Sequence, residues 1–191
     1  MRGINIFLAD GFEDCEALAT NDVLRRGGLK TRLVSISDEP FVASSHGITV
    51  GVEDFLDELL EEGHSGTGAS DVMIFPGGMP GSKNLAKCGK LIKAMREHYA
   101  AGGTVAAICA APGLVLSQLD IPQGLEFTCF EGFEDALIAK GGRYTPLPAV
   151  TDDRIITGRS AGHAVAFALQ ILSKVKDDQA AAEVRHAMYL D

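Results

Sequence analysis

Three times along this chain an amphipathic stretch ends in a glycine pair and gives way to a β-rich run, and that rhythm constrains the fold more than any other feature. Residues 13–26 precede Gly27-Gly28, residues 91–101 precede Gly102-Gly103, and residues 133–140 precede Gly141-Gly142. Glycine after a helical pattern supplies the left-handed residue that closes a helix. The next runs are residues 30–36, 104–108 and 143–144, and residues 4–8 and 71–75 are further short apolar segments. Helix and strand in alternation predict an α/β fold with a mostly parallel central sheet covered on both faces, these runs being its central strands.

The remaining stretches fit around that sheet. Residues 41–51 read as an extended hairpin laid beside it. Residues 54–62 alternate Phe55, Leu56, Leu59 and Leu60 with five carboxylates, a surface helix with a solvated acidic face. Residues 160–174 are apolar nearly all round, so that helix is expected to pack deep or against a second subunit.

A length of 191 residues predicts one domain spanning 1–191. The formal charge of −9 disfavours nucleic acid and anionic membranes as partners. The apolar run before Asp10 is too short for a signal segment and no window reaches the roughly 18 apolar residues of a spanning helix, so a cytoplasmic location is expected. Four cysteines, Cys15, Cys88, Cys109 and Cys129, lie far apart without a CxxC or a paired histidine spacing, which argues against a metal site or a redox dithiol.

The sharpest chemical signal is a buried run from Thr104 into Cys109, with Pro112 opening a helix behind it. A nucleophile on a strand-to-helix turn projects above the carboxyl edge of a sheet, and the helix N-terminus is expected to lower its pKa. The alternative is a cysteine among alanines acting as a small core residue. A second signal is the glycine-rich turn Pro76-Gly77-Gly78-Met79-Pro80-Gly81 after an apolar run. It lacks the P-loop lysine, and it is either a plain tight turn or a set of unobstructed N–H donors facing a ligand. At the same sheet edge as Cys109 it would complete an oxyanion site. Glu16 shares a helical face with Ala19 and Val23, so its carboxyl either enters the core and needs a partner or skirts it with its head in water. Asp10 and Glu13 are expected to cap that helix as a pair. Among the histidines, His64 falls in a polar loop, His98 and His186 on solvated helix surfaces, and His46 and His163 are the candidates for a site.

The segments Ala9-Asp10-Gly11-Phe12-Glu13-Asp14-Cys15-Glu16, Phe75-Pro76-Gly77-Gly78, Ala107-Ile108-Cys109-Ala110-Ala111-Pro112 and Thr157-Gly158-Arg159 resemble, in order and over almost the whole chain, the ThiJ/PfpI superfamily. The likeness is to the branch of the parkinsonism-associated deglycase and its bacterial chaperone-like relatives. It implies a flavodoxin-like sandwich of the class I glutamine amidotransferase type and a homodimer. It also implies that Cys109 is the reactive cysteine, that Glu16 is a protonated carboxyl bonded to it, and that the Gly77-Gly78 turn and Ala110 offer N–H groups beside it. Family activities are conversion of glyoxal or methylglyoxal to hydroxy acids, protein deglycation and redox-regulated chaperoning, without metal or organic cofactor.

Three departures narrow this. Ala110 stands where the protease-like branch has histidine, so a peptidase would lack its base. Cys129-Phe130-Glu131 occupies a segment where some relatives carry a further histidine. His46 stands where a relative has an arginine that approaches the site across the dimer, while Arg26 and Arg159 match basic residues of the family and are candidates for anion binding or dimer contact. The sequence therefore predicts a cysteine-dependent enzyme acting on small α-oxoaldehydes, the alternative being a redox-sensing chaperone-like protein in which Cys109 is oxidised. For the pair itself, burial is expected to raise the pKa of Glu16.

Overall fold

The computed structural model describes residues 1–52, 54–63 and 66–190; His64 lies outside them. The chain opens with β1 (Ile4–Leu8), α1 (Asp14–Arg26) and β2 (Thr31–Ser35), then the short strands β3 (Phe41–Ala43), β4 (Thr49–Gly51) and β5 (Asp54–Phe55). Next come α2 (Leu56–Glu62), β6 (Val72–Phe75), α3 (Gly81–Lys87), α4 (Gly89–Ala100) and β7 (Thr104–Ile108). The remainder is α5 (Ala111–Leu114), β8 (Glu126–Phe127), α6 (Asp135–Ile138), β9 (Arg143–Tyr144), β10 (Ala149–Asp152), β11 (Ile155–Gly158), α7 (Ala164–Val175) and α8 (Asp178–Ala187).

Seven strands form one sheet in the order β10-β11-β7-β6-β1-β2-β5, parallel throughout except for β10 against β11. Its central strands are apolar on both faces because each face carries its own core. Phe7, Met73, Phe75, Val105 and Ala107 pack with Leu85, Leu91 and Met95 of α3 and α4. Ile4, Ile6, Leu8, Ile74, Ala106, Ile108 and Ile156 pack with Val23 and Leu24 of α1 and Phe167, Ile171 and Leu172 of α7. This is the expected α/β sandwich, helices on both sides of a mostly parallel sheet.

The glycine pairs divide their work. Gly28 takes φ +75° to close α1, while a Cβ on Gly27 would sit 2.5 Å from Leu172 Cδ1, so the first residue of the pair lets α7 approach α1. The hairpin of β3 and β4 is antiparallel and is tied to the loop after β1 by Gly11 N–H to Ala43 O at 2.8 Å and Ala43 N–H to Asp10 Oδ1 at 2.9 Å. Among the described residues no helix is long and apolar enough to cross a membrane.

Three expectations are corrected. Residues 54–62 are not one helix, because Asp54-Phe55 pairs with β2 as the edge strand β5 and α2 begins at Leu56. The stretch 133–140 forms only the single turn α6, and Arg143-Tyr144 is no central strand: it pairs in parallel with β8 in a separate two-stranded sheet. Pro146 and Pro148 follow it, and a segment without those two N–H donors cannot extend a central ladder. The edge beside β11 is taken instead by β10. His98 is buried, not solvated; its Nε2 lies 3.0 Å from Thr104 O, and the ring fills the space where a Cβ on Gly103 would be.

Candidate active site

The loops after β1, β6 and β7 leave the same edge of the sheet, and β6 lies between the other two. Chain direction reverses its lateral progression between β1 and β6, and such switch points open the crevice where α/β sheets bind ligands. Glu16 reaches this edge from the first turn of α1, Gly77 and Gly78 follow β6, and Cys109 follows β7.

Cys109 has φ +65°, a left-handed conformation that a residue with a Cβ adopts only under constraint. The constraint is visible on both sides, where Cys109 N–H donates to Gly158 O at 3.0 Å and Phe130 N–H donates to Cys109 O at 2.8 Å. Behind it Pro112 sits in the first turn of α5. The sulfur faces the Gly77 turn: a Cβ on Gly77 would overlap Glu16 Oε2 and lie 2.6 Å from Cys109 Cβ and 3.1 Å from Cys109 Sγ. Glycine at 77 is thus a steric requirement of the pair. Gly78, at φ +90°, packs against backbone atoms of Gly11, Phe12 and Glu13.

Glu16 is 1% exposed. Its Oε2 accepts from Gly77 N–H at 2.6 Å, and the Cys109 thiol interacts with the same carboxyl. Burial pushes this acid up, Glu13 adds repulsion, and the thiol and the Gly77 N–H pull the other way; the outcome is about 7. Glu16 therefore holds its proton well above the usual carboxylate range, in the expected direction.

The expected lowering at Cys109 is overturned. Burial, the charge of an ionised Glu16 and its hydrogen bond push the thiol up to about 12, against the N–H groups of Ala110 and Gly78. Helix α5 has four residues, too few aligned peptides for a strong dipole. A proton resting on Glu16 removes the repulsion and turns the carboxyl into a donor, so the protonation state of Glu16 sets how readily the Cys109 thiol ionises.

The other sequence candidates scatter. Arg26 lies ten residues along α1 from Glu16, about 15 Å at the helical rise, and pairs with Asp22 at 2.7 Å; it is not at the sulfur. Arg159 follows β11 at the same sheet edge as Cys109 and donates to Pro146 O at 3.2 Å. His163 bonds locally to Ser160 Oγ at 3.0 Å. His46 lies in the β3–β4 turn with Nδ1 2.5 Å from Asp14 Oδ2. Burial pushes Asp14 up, but hydrogen bonds from Ser44 and His46 and the helix backbone, with the charge of His46, outweigh it and hold the carboxyl low. Glu13, Asp14 and His46 bring ligand-type atoms within 4.8 Å of one another, yet Glu13 Oε2 is taken by Glu16 N–H and Asp14 Oδ2 by His46.

The expected capping pair is a turn out of place. Glu13 alone caps α1, its Oε2 accepting from Glu16 N–H at 2.7 Å, whereas Asp10 serves the hairpin. The informative spacing is 13 to 16, not 10 to 13.

Residues 2–174 match the model of the DJ-1/PfpI family. The chain belongs to that family. It is 31% identical over 164 residues to Glutathione-independent glyoxalase DJR-1.2 of Caenorhabditis elegans, covering 86% of this chain and 83% of that protein. It is 28% identical over 189 residues to Protein DJ-1 homolog A of Arabidopsis thaliana, covering 99% of this chain but 47% of the plant protein, so it spans about half the length of that relative. Among solved structures, a cysteine-to-alanine mutant of a DJ-1 superfamily protein from Salmonella typhimurium superposes with a TM-score of 0.86 at 29% identity, over 99% of this chain and 98% of the other. The sandwich, a mostly parallel central sheet with flanking helices, is thus the fold of that solved family member.

Proposed function

We propose that this protein is a cysteine-dependent enzyme that converts small α-oxoaldehydes such as glyoxal and methylglyoxal to hydroxy acids, with no metal or organic cofactor. The observation that carries the reading is Cys109, held on a left-handed elbow against a buried carboxyl that keeps its proton to about pH 7. The similarity to a nematode protein named a glutathione-independent glyoxalase supports it.

In this scheme the Cys109 sulfur adds to the aldehyde carbon and the carbonyl π pair moves to oxygen, giving a hemithioacetal once that oxygen is protonated. N–H groups of Gly78 and Ala110 hold the developing oxyanion. Glu16 moves the proton from the sulfur-bearing carbon to the adjacent carbonyl carbon, oxidising one and reducing the other with no external oxidant. Water then releases the hydroxy acid and returns the thiolate. Deglycation of a glycated amine would reach the same hemithioacetal by displacement, the C–S bond forming as the carbinolamine C–N bond breaks and the amine leaves with the thiol proton.

A second reading is a redox-sensing, chaperone-like protein. It is favoured by the same N–H groups and carboxyl, which would cradle a sulfinate at Cys109. Glyoxal kinetics on a chelator-treated sample, run beside intact-mass measurement after mild peroxide, separate the two. Acid production that follows enzyme concentration, and is lost in step with a +32 Da mass on Cys109, supports the enzyme; absence of turnover from a fully reduced sample defeats it.

A homodimer and a cytoplasmic location belong to the same proposal. Phe41 and Ile48 of the hairpin are 67% and 48% exposed, an apolar surface that a second copy would cover. Light scattering at micromolar concentration is expected to return twice the chain mass, and a monomeric value would exclude the dimer.

A further inference from the structure

The first turn of α1 contains a capping box that has been opened. In the closed form of this motif the N-cap side chain accepts from the N3 N–H, and the N3 side chain returns to accept from the N-cap N–H. Here the first half is present, Glu16 N–H donating to Glu13 Oε2 at 2.7 Å. The returning half is not made. Glu13 N–H donates instead to Gly77 O at 3.0 Å, and Gly77 N–H donates to Glu16 Oε2 at 2.6 Å. Gly77 is inserted into the box, and three bonds close a ring through Glu13, Glu16 and Gly77. The effect is to turn the Glu16 carboxyl away from its own helix end and toward the sulfur.

We infer that Glu13 is the positioning residue for the Glu16–Cys109 pair, aiming the Glu16 carboxyl at the sulfur through the opened box and placing a negative charge beside that carboxyl. Glu13 does not touch the sulfur; it acts through Glu16. Among the described residues, Cys109 from the elbow and Glu13 and Cys15 from its own chain segment interact with Glu16; burial is the main cause that holds the Glu16 proton, and the charge of Glu13 adds to it. With the proton on the carboxyl, the repulsion that opposes ionisation of the Cys109 thiol is gone, so the reactive thiolate forms more readily. The inference rests on the pairing of Glu16 with Cys109 in the proposed function, but it can be read without any turnover.

The test uses the full chain and two variants. Glu13→Gln keeps an acceptor for Glu16 N–H and removes the charge; Glu13→Ala removes both. Readouts are the rate of Cys109 alkylation by iodoacetamide from pH 5 to 9, the carbon-13 titration of the Glu16 carboxyl, and the melting temperature. In Glu13→Gln the Glu16 midpoint should move to lower pH and alkylation at pH 7 should slow roughly threefold, in line with a single nearby charge, with the melting temperature near that of wild type. Glu13→Ala should slow alkylation about tenfold as the aim is lost too.

Asp177→Ala is the matched control, because Asp177 caps α8 with the same kind of bond, accepting from Ala180 N–H at 2.8 Å, at a helix end that has no part in the ring. It should lower the melting temperature and leave alkylation alone. An unchanged carboxyl midpoint and alkylation profile in Glu13→Gln would overturn the inference, and so would an Asp177→Ala protein alkylated as slowly as Glu13→Ala. Failure of the glyoxal assay with these shifts intact would count against the proposed activity and not against the role of Glu13.

Discussion

A Cys109→Ala variant is expected to lose at least about a thousandfold of glyoxal turnover while keeping the wild-type fold. Alanine has the same Cβ as cysteine, so the cost of φ +65° at this elbow is unchanged, and the bonds that hold the bend, to Gly158 O and from Phe130 N–H, are made by backbone atoms and survive the change. What is lost is the atom that forms the covalent bond. The vacated sulfur volume should cost roughly 1 kcal/mol of stability, far too little to unfold the protein. Steady-state kinetics on chelator-treated protein, with circular dichroism on the same sample, make the measurement. Turnover within tenfold of wild type would remove Cys109 from the mechanism.

Glu16→Gln should separate stability from activity in the opposite sense. In the folded protein Glu16 titrates at about 7 against an ordinary 4.5, so between those pH values the native state binds more protons than the unfolded chain. Stability linked to this group is therefore complete below pH 4.5 and is lost as pH rises through 7. At 1.36 kcal/mol for each unit, the loss reaches about 3 kcal/mol by pH 8. Glutamine keeps an oxygen for the Gly77 N–H and an amide donor toward the sulfur, but it never ionises. Urea melts from pH 4 to pH 8 should show wild type weakening by about that amount relative to the variant, whose curve lacks the slope. The variant should also be inactive toward glyoxal, because an amide cannot carry the proton between the two carbons. Parallel pH–stability curves for the two proteins would mean that Glu16 does not carry the buried charge assigned to it.

The places of these two residues in the fold are written in local sequence pattern. The run into Cys109 followed by Pro112 announces a strand, a bend and a helix start by local preferences alone, and all three are found. Helical periodicity puts Glu16 on one face with Val23, which is also buried, but it leaves open whether the carboxyl enters the core or turns to water; the structure buries it. The central strands are legible because a parallel strand buried on both faces is nearly all apolar, as β1 is apart from Asn5 and β7 apart from Thr104.

What local pattern cannot supply is the lateral order of those strands. It sets β6 between β1 and β7 and so drops the Gly77 peptide between Glu16 and Cys109. The opened capping box depends on that placement, because the partner that completes it lies 61 residues away along the chain. The thiol of Cys109 goes the other way from its local signal for the same reason: a helix start nearby in sequence favours a thiolate, but burial and a carboxyl brought in from α1 outweigh four residues of helix. Helices and strands follow from interactions within a few residues, which the sequence by itself determines. The charge state of the site and the partner of each of its polar groups depend on contacts across the sheet, where only the tertiary structure sets distance and burial.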